Sequence, residues 1–170
     1  LIRRGQANLA DLEQTPDFIA EVLDRFQDAL LASPSLDEPT RSRLRELLQI
    51  LALCAPVRPS DPRERDALAA FLRELPEVLI RDLGVLEDLG LLLRRGGLVT
   101  IPVDAIREAE ARRACVDTRG QATGRAERAL RELTGVFRKN LLRALAQVEW
   151  HSERSVESLS LLDRIWPELA

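Results

Sequence analysis

The segment LEDLGLLLRRGGLVTIP, residues Leu86–Pro102, contains the clearest turn signal in the chain. Gly96 and Gly97 stand together between two apolar stretches, and a two-residue type I′ turn needs positive φ at both positions. The residues after them, Leu98–Ile101, hold the densest run of β-branched side chains in the sequence. This segment therefore predicts a short β-hairpin at about residues 91–101. The alternative is that residues 85–95 stay helical and that the two glycines end the helix.

The rest of the chain is typical of a helical protein. Leu and Ala dominate, Tyr is absent and aromatic residues make up 4% of the 170 residues, whereas strands favour aromatic and β-branched side chains. Apolar residues recur at spacings of three and four, which indicates amphipathic helices. We therefore predict an all-α fold, a multi-helix bundle with one short hairpin and a long C-terminal helix or helix pair.

Several boundaries follow from capping residues and helix breakers. Thr15 and Pro16 predict the start of a helix that ends at Ser33-Pro34. Ser35 and Glu38 are spaced as a capping box for a second helix, with the alternative that Pro39 delays its start to about Thr40, and Asp61 precedes a third. Pro76 separates that helix from a short one, residues 77–89, which we expect Gly84 to interrupt. The apolar stripes place five residues in the core: Phe18, Phe26, Leu48, Phe71 and Phe137.

The chain divides at its proline-rich and glycine-rich segments. We distinguish an N-terminal helical part (residues 1–57), a helical part with the hairpin (58–116) and a C-terminal part of one or more long helices (117–170), and we expect them to pack as one compact unit. No apolar run approaches the ~20 residues that span a bilayer. Two cysteines far apart in sequence favour reduced, buried thiols, so we expect a cytoplasmic protein without membrane contact.

The charge is distributed unevenly. The formal net charge is −3, but residues 1–93 are acidic on balance, residues 94–143 are basic and residues 144–170 are acidic again. The basic segment either contacts phosphates or complements an acidic protein surface, within this chain or on a partner. Its candidate phosphate-contacting residues are Arg94, Arg95, Arg112, Arg113, Arg125, Arg128, Arg138 and Lys139.

The string LEDLGLLLRRGGLVTI resembles the helix end and wing of winged-helix domains, in which a leucine-rich helix breaks at a glycine into a hairpin. The resemblance covers residues 63–102. It implies that the hairpin is a wing and that the preceding helix, PEVLIRDLGVLEDLG, occupies the position that reads DNA in some members. A DNA-reading helix normally offers polar donors to base edges, but this one carries four acidic residues and a single arginine, Arg81. Many winged-helix folds instead bind proteins or form dimers.

The sequence does not point to catalysis. His151 is the only histidine, and no HExxH, CxxC, P-loop or GxGxxG pattern is present, so we expect no catalytic residues, metal or cofactor. The expected function is that of a non-catalytic protein-interaction protein, a subunit or adaptor of a larger assembly, with a protein partner or self-association. The alternative is a winged-helix-like protein that binds nucleic acid through the basic segment.

Overall fold

A computed structural model of the chain describes residues 36–117 and 121–152, together with positions 25 and 29. These residues form a helical bundle with one two-stranded antiparallel sheet, which confirms the predicted all-α class with a short hairpin. In chain order the elements are α1 (Glu38–Cys54), α2 (Pro62–Leu72), α3 (Pro76–Asp88), β1 (Leu93–Arg95), β2 (Leu98–Thr100), α4 (Asp104–Cys115) and α5 (Arg125–Ser152). None of these helices is long and apolar enough to cross a membrane. The helix predicted from Thr15 lies outside the described residues.

Capping residues explain where the first helices begin. Asp37 is the N-cap of α1, and its carboxylate accepts a hydrogen bond of 3.0 Å from the backbone N–H of Thr40. The sequence prediction of Ser35 as the cap is therefore wrong. Asp61 caps α2, as predicted, by accepting from the N–H of Arg63. Both acidic caps also favour the positive end of the helix dipole.

Helix α3 is continuous, so the predicted interruption at Gly84 is wrong. A glycine inside a helix costs about 1 kcal/mol relative to alanine. Leu79, Leu83 and Leu86, on either side of Gly84, are each buried against the core. Their burial outweighs the glycine penalty, because one fully buried leucine contributes about 1.5–3 kcal/mol.

The core lies where α1, α4 and α5 pack against one another, with α2 packed on α5 and α3 on α2. The C-terminal half of α1 is buried on every side, from Ile50 to Cys54. Three of the predicted core residues are confirmed, since Leu48, Phe71 and Phe137 are all buried. The other two, Phe18 and Phe26, lie outside the described residues.

The hairpin forms at the predicted place, and the alternative of a helix through residues 85–95 is wrong. Gly96 and Gly97 have φ values of 55° and 81°, the positive values that their turn requires. Strand β2 is also held to the segment between α1 and α2, because Val57 and Val99 exchange two backbone hydrogen bonds of 3.0 and 2.7 Å. The hairpin is therefore fixed to the segment that follows α1.

Candidate interaction surface

The turn between α2 and α3 exposes apolar side chains. Three residues join the two helices, and Arg73 supports the tight turn with a left-handed φ of 57°. Leu75, the N-cap residue of α3, is 67% exposed, and Ile80 in the next turn of the helix is 42% exposed. Large apolar side chains this exposed mark a possible contact surface when they lie on one side of an element.

Helix α3 has one buried and one open side. The buried side carries Leu79, Asp82, Leu83 and Leu86. The open side, called the α3 face below, carries Glu77, Ile80, Arg81, Gly84 and Asp88, at spacings that place them along one stripe. Nothing lies within 4 Å of the position that a Cβ on Gly84 would take. The α3 face is therefore acidic at both ends, with an apolar side chain and an open space between them.

Asp82 is the one acidic residue of α3 that does not reach the surface. It is 2% exposed, and its carboxylate accepts hydrogen bonds from the guanidinium of Arg43 on α1. This bond raises the pKa of Arg43 above its ordinary value. The sequence contained the signal, because Asp82 is three residues after Leu79 and four before Leu86, on the apolar stripe. Three carboxylates of α3 remain at or near the surface: Glu77, Glu87 and Asp88.

The pleat of the hairpin separates the two arginines of β1. Arg94 is paired with Val99, whose side chain is buried, and Arg95 is paired with Leu98. Residues directly opposite share one side of a hairpin, so Arg94 lies on the side that packs towards the helices. Its Nε donates to both carboxylate oxygens of Glu87 on α3, each at 3.1 Å. Hydrogen bonding to Glu87 also raises the pKa of Arg94.

Three further basic residues of the predicted phosphate-contacting set bind within the fold. Arg113 pairs with the buried carboxylate of Glu110, and desolvation lowers the pKa of this arginine. Arg125 donates to Gln49 of α1. Arg128 lies over the ring of Phe71, with 3.9 Å between its Cζ and the ring centroid, and it also donates to the Phe71 carbonyl.

The remaining four candidates are exposed and lie on three different elements. These four residues are Arg95, Arg112, Arg138 and Lys139. None of them makes an ion pair with another described residue. The structure thus divides the predicted set in half. One half makes contacts within the fold, and the other half makes no ion pair with a described residue.

A basic stripe runs along the outside of α5. Glu132, Val136, Lys139 and Arg143, called the α5 face below, are spaced four, three and four residues apart, so they lie on one side of the helix. All four are exposed, and Val136 is 43% exposed although its side chain is apolar. Arg138 flanks the stripe. Of this stripe only Lys139 belongs to the predicted phosphate-contacting set, and the exposure of Val136 is apparent only from the structure.

The two thiols are buried inside the bundle. Cys54 and Cys115 are both free cysteines, and burial raises the pKa of Cys115 to about 12. Within residues 36–117 and 121–152, no group of His, Cys, Asp and Glu side chains is arranged to hold a metal ion. His151 lies in the last turn of α5, and its side chain is outside the described part of the structure.

Comparison of the chain with protein-family models, with curated proteins and with solved structures gives no match.

Proposed function

We propose that this chain is a non-catalytic protein-interaction protein, a subunit or adaptor, whose α3 face and hairpin contact another protein. Two helices joined by a three-residue turn and followed by a hairpin, within residues 62–100, are consistent with the winged-helix resemblance of residues 63–102. The bridge from Val57 to Val99 ties the hairpin to the segment after α1, and the pair of Arg94 with Glu87 ties it to α3. Free, buried cysteines are typical of a reducing compartment such as the cytoplasm.

The observation that carries this proposal is the ion pair between Arg94 and Glu87. If α3 and the hairpin bound DNA, Arg94 would be a natural phosphate contact, yet its guanidinium is already held by a carboxylate of α3. Glu77 and Asp88 add two exposed carboxylates on the same helix. Duplex DNA carries one negative charge per ~1.7 Å of its axis, so this surface repels it. Exposed Leu75 and Ile80 suit a protein contact instead.

The second candidate function is nucleic-acid binding by the four exposed basic residues. None of these four, Arg95, Arg112, Arg138 and Lys139, is held in an ion pair by another described residue. They are therefore better candidates for phosphate contact than Arg94, which is held by Glu87. They are spread over the hairpin, α4 and α5. Contacts of this kind would neutralise phosphates without reading base sequence.

Site-specific photo-cross-linking tests whether the α3 face contacts a protein. A benzophenone side chain at position 80, within the full chain and in the cells that make it, should yield discrete protein cross-links. The matched control carries the same group at position 103, because Val103 is also exposed and apolar but lies outside the α3 face. Cross-links to nucleic acid from position 80, or identical protein bands from both positions, would contradict the proposed function.

A further inference from the structure

We propose that the α3 face of one copy of this chain binds the α5 face of a second copy, so that the protein self-associates through two oppositely charged helices. This inference rests on the proposed function and specifies the partner. Both faces combine one exposed apolar residue, Ile80 or Val136, with charged neighbours. A helix face of this composition can bury its apolar residue against a partner while its charges select the partner.

The net charges of the two faces favour a contact between unlike faces. The α3 face has Glu77 and Asp88 against Arg81 and is negative, whereas the α5 face has Lys139 and Arg143 against Glu132 and is positive. Glu77 and Lys139 are exposed, and neither makes an ion pair with another described residue. Two α3 faces would repel each other, as would two α5 faces. A contact between an α3 face and an α5 face brings opposite charges together.

The spacing of the charges also selects an orientation. Glu77 precedes Ile80 by three residues, and Lys139 follows Val136 by three residues. If Ile80 packs on Val136 with the helices antiparallel, Glu77 therefore lies beside Lys139.

The same antiparallel arrangement uses the open space on α3. Gly84 follows Ile80 by four residues and Glu132 precedes Val136 by four, so Glu132 lies against the side of α3 where no Cβ projects. Arg81 is adjacent in sequence to Ile80 and 61% exposed, but it already pairs with Asp82 at 3.3 Å, and Glu132 already pairs with Arg128 at 3.5 Å. A parallel arrangement would instead bring Glu77 next to Glu132 and would place Lys139 between Arg81 and Gly84. The antiparallel contact is thus the one that sets Glu77 against Lys139 rather than against Glu132.

Sedimentation velocity of the full chain, from about 1 to about 200 µM, measures this association directly. We expect concentration-dependent self-association of the unmodified chain. Glu77→Lys and Lys139→Glu should each weaken it about tenfold or more, because each reversal sets like charges against each other. The matched control, Val103→Glu, changes an exposed apolar residue that belongs to neither face and should leave the association constant unchanged.

Mixing the two charge-reversed variants provides the sharpest test. In an equimolar mixture, Lys at position 77 of one variant faces Glu at position 139 of the other, so mixed complexes should form where each variant alone dissociates. Far-UV circular dichroism of each variant checks that the helices remain folded. Recovery in the mixture would also show that both variants keep their surfaces intact.

Three results would overturn the inference. A chain that stays monomeric over the whole range would do so, and so would a mixture that associates no better than its components. Association that is weakened by Lys139→Glu but not by Glu77→Lys would place the contact outside the α3 face. If the monomeric chain nevertheless forms specific cross-links to another protein from position 80, the self-association fails while the proposed function stands.

Discussion

Replacing Arg128 by alanine should destabilise the fold, although the sequence alone presents this residue as one of several basic candidates for phosphate contact. Its guanidinium lies over the ring of Phe71 at 3.9 Å and donates to the carbonyl of the same residue. Phe71 is buried and stands one residue before the end of α2. Arg128 therefore connects α5 to the last turn of α2, where carbonyl groups lack partners within the helix.

The size of the effect follows from these contacts. A hydrogen bond from a charged donor contributes about 1.5–3 kcal/mol, and a cation–π contact at a partly exposed site adds about 0.5–1 kcal/mol. The ion pair with Glu132, at 3.5 Å, is half exposed and adds less than about 0.5 kcal/mol. Since the side chain of Arg128 is itself 30% exposed, water recovers part of the lost interaction. We expect a loss of about 2–3 kcal/mol in the free energy of unfolding.

Urea denaturation followed by circular dichroism measures this loss. With a slope of about 2 kcal/mol per molar urea, the midpoint of Arg128→Ala should fall by about 1 M. Arg138→Ala is the matched control, because Arg138 is exposed on the same helix without an ion pair to a described residue; its change should stay within about 0.5 kcal/mol. Arg128→Lys should lie between them, since lysine keeps the charge but not the planar stacking group. Equal midpoints for the Arg128→Ala and Arg138→Ala variants would refute the structural role of Arg128.

Three other predictions test the remaining contacts. Asp82→Ala should lower the free energy of unfolding by about 3 kcal/mol because it leaves Arg43 without its buried partner. Glu87→Ala breaks a more exposed pair and should lower the free energy of unfolding by less than about 1 kcal/mol. Similar losses for the two variants in urea denaturation would contradict this difference. Asp37→Ala should destabilise α1 most at neutral pH, because the hydrogen bond with Thr40 lowers the pKa of Asp37 below 3.8. That contribution is present above the unfolded-state pKa and is lost as pH falls through the folded-state pKa, so melting temperatures of the two proteins should converge in acid. The buried thiol of Cys115 should react slowly with a thiol reagent at pH 8 and rapidly in denaturant, and rapid labelling of the native chain would show that it is accessible.

The hairpin and the helices could be predicted from local sequence because their causes are local. Gly96-Gly97 permit a turn that other residues strain, and apolar spacing identifies the buried stripe of each helix. The position of Asp82 on the apolar stripe of α3 indicates burial, although its charge favours exposure. At Gly84 the local sequence predicts a break in the helix, but the burial of leucines on both sides of it outweighs the helix-breaking tendency of glycine.

The candidate surface could be predicted only in part because its partners are distant in sequence. Arg94 and Arg95 are equivalent in the sequence, and only the strand register decides which of them meets Glu87. Arg128 finds Phe71 at a separation of 57 residues. No local pattern predicts such a contact, so half of the predicted phosphate-contacting residues turned out to bind within the chain.

The affinity of the full chain for duplex DNA tests the central claim most directly, namely that the surface formed by α3 and the hairpin does not serve nucleic acid. Fluorescence anisotropy with a labelled duplex, across a range of salt concentrations, should show no binding tighter than about 10⁻⁶ M at physiological salt. Sub-micromolar binding that weakens steeply with salt and disappears in the double variant Arg94→Glu/Arg95→Glu would contradict the account and would make the hairpin a nucleic-acid-binding wing.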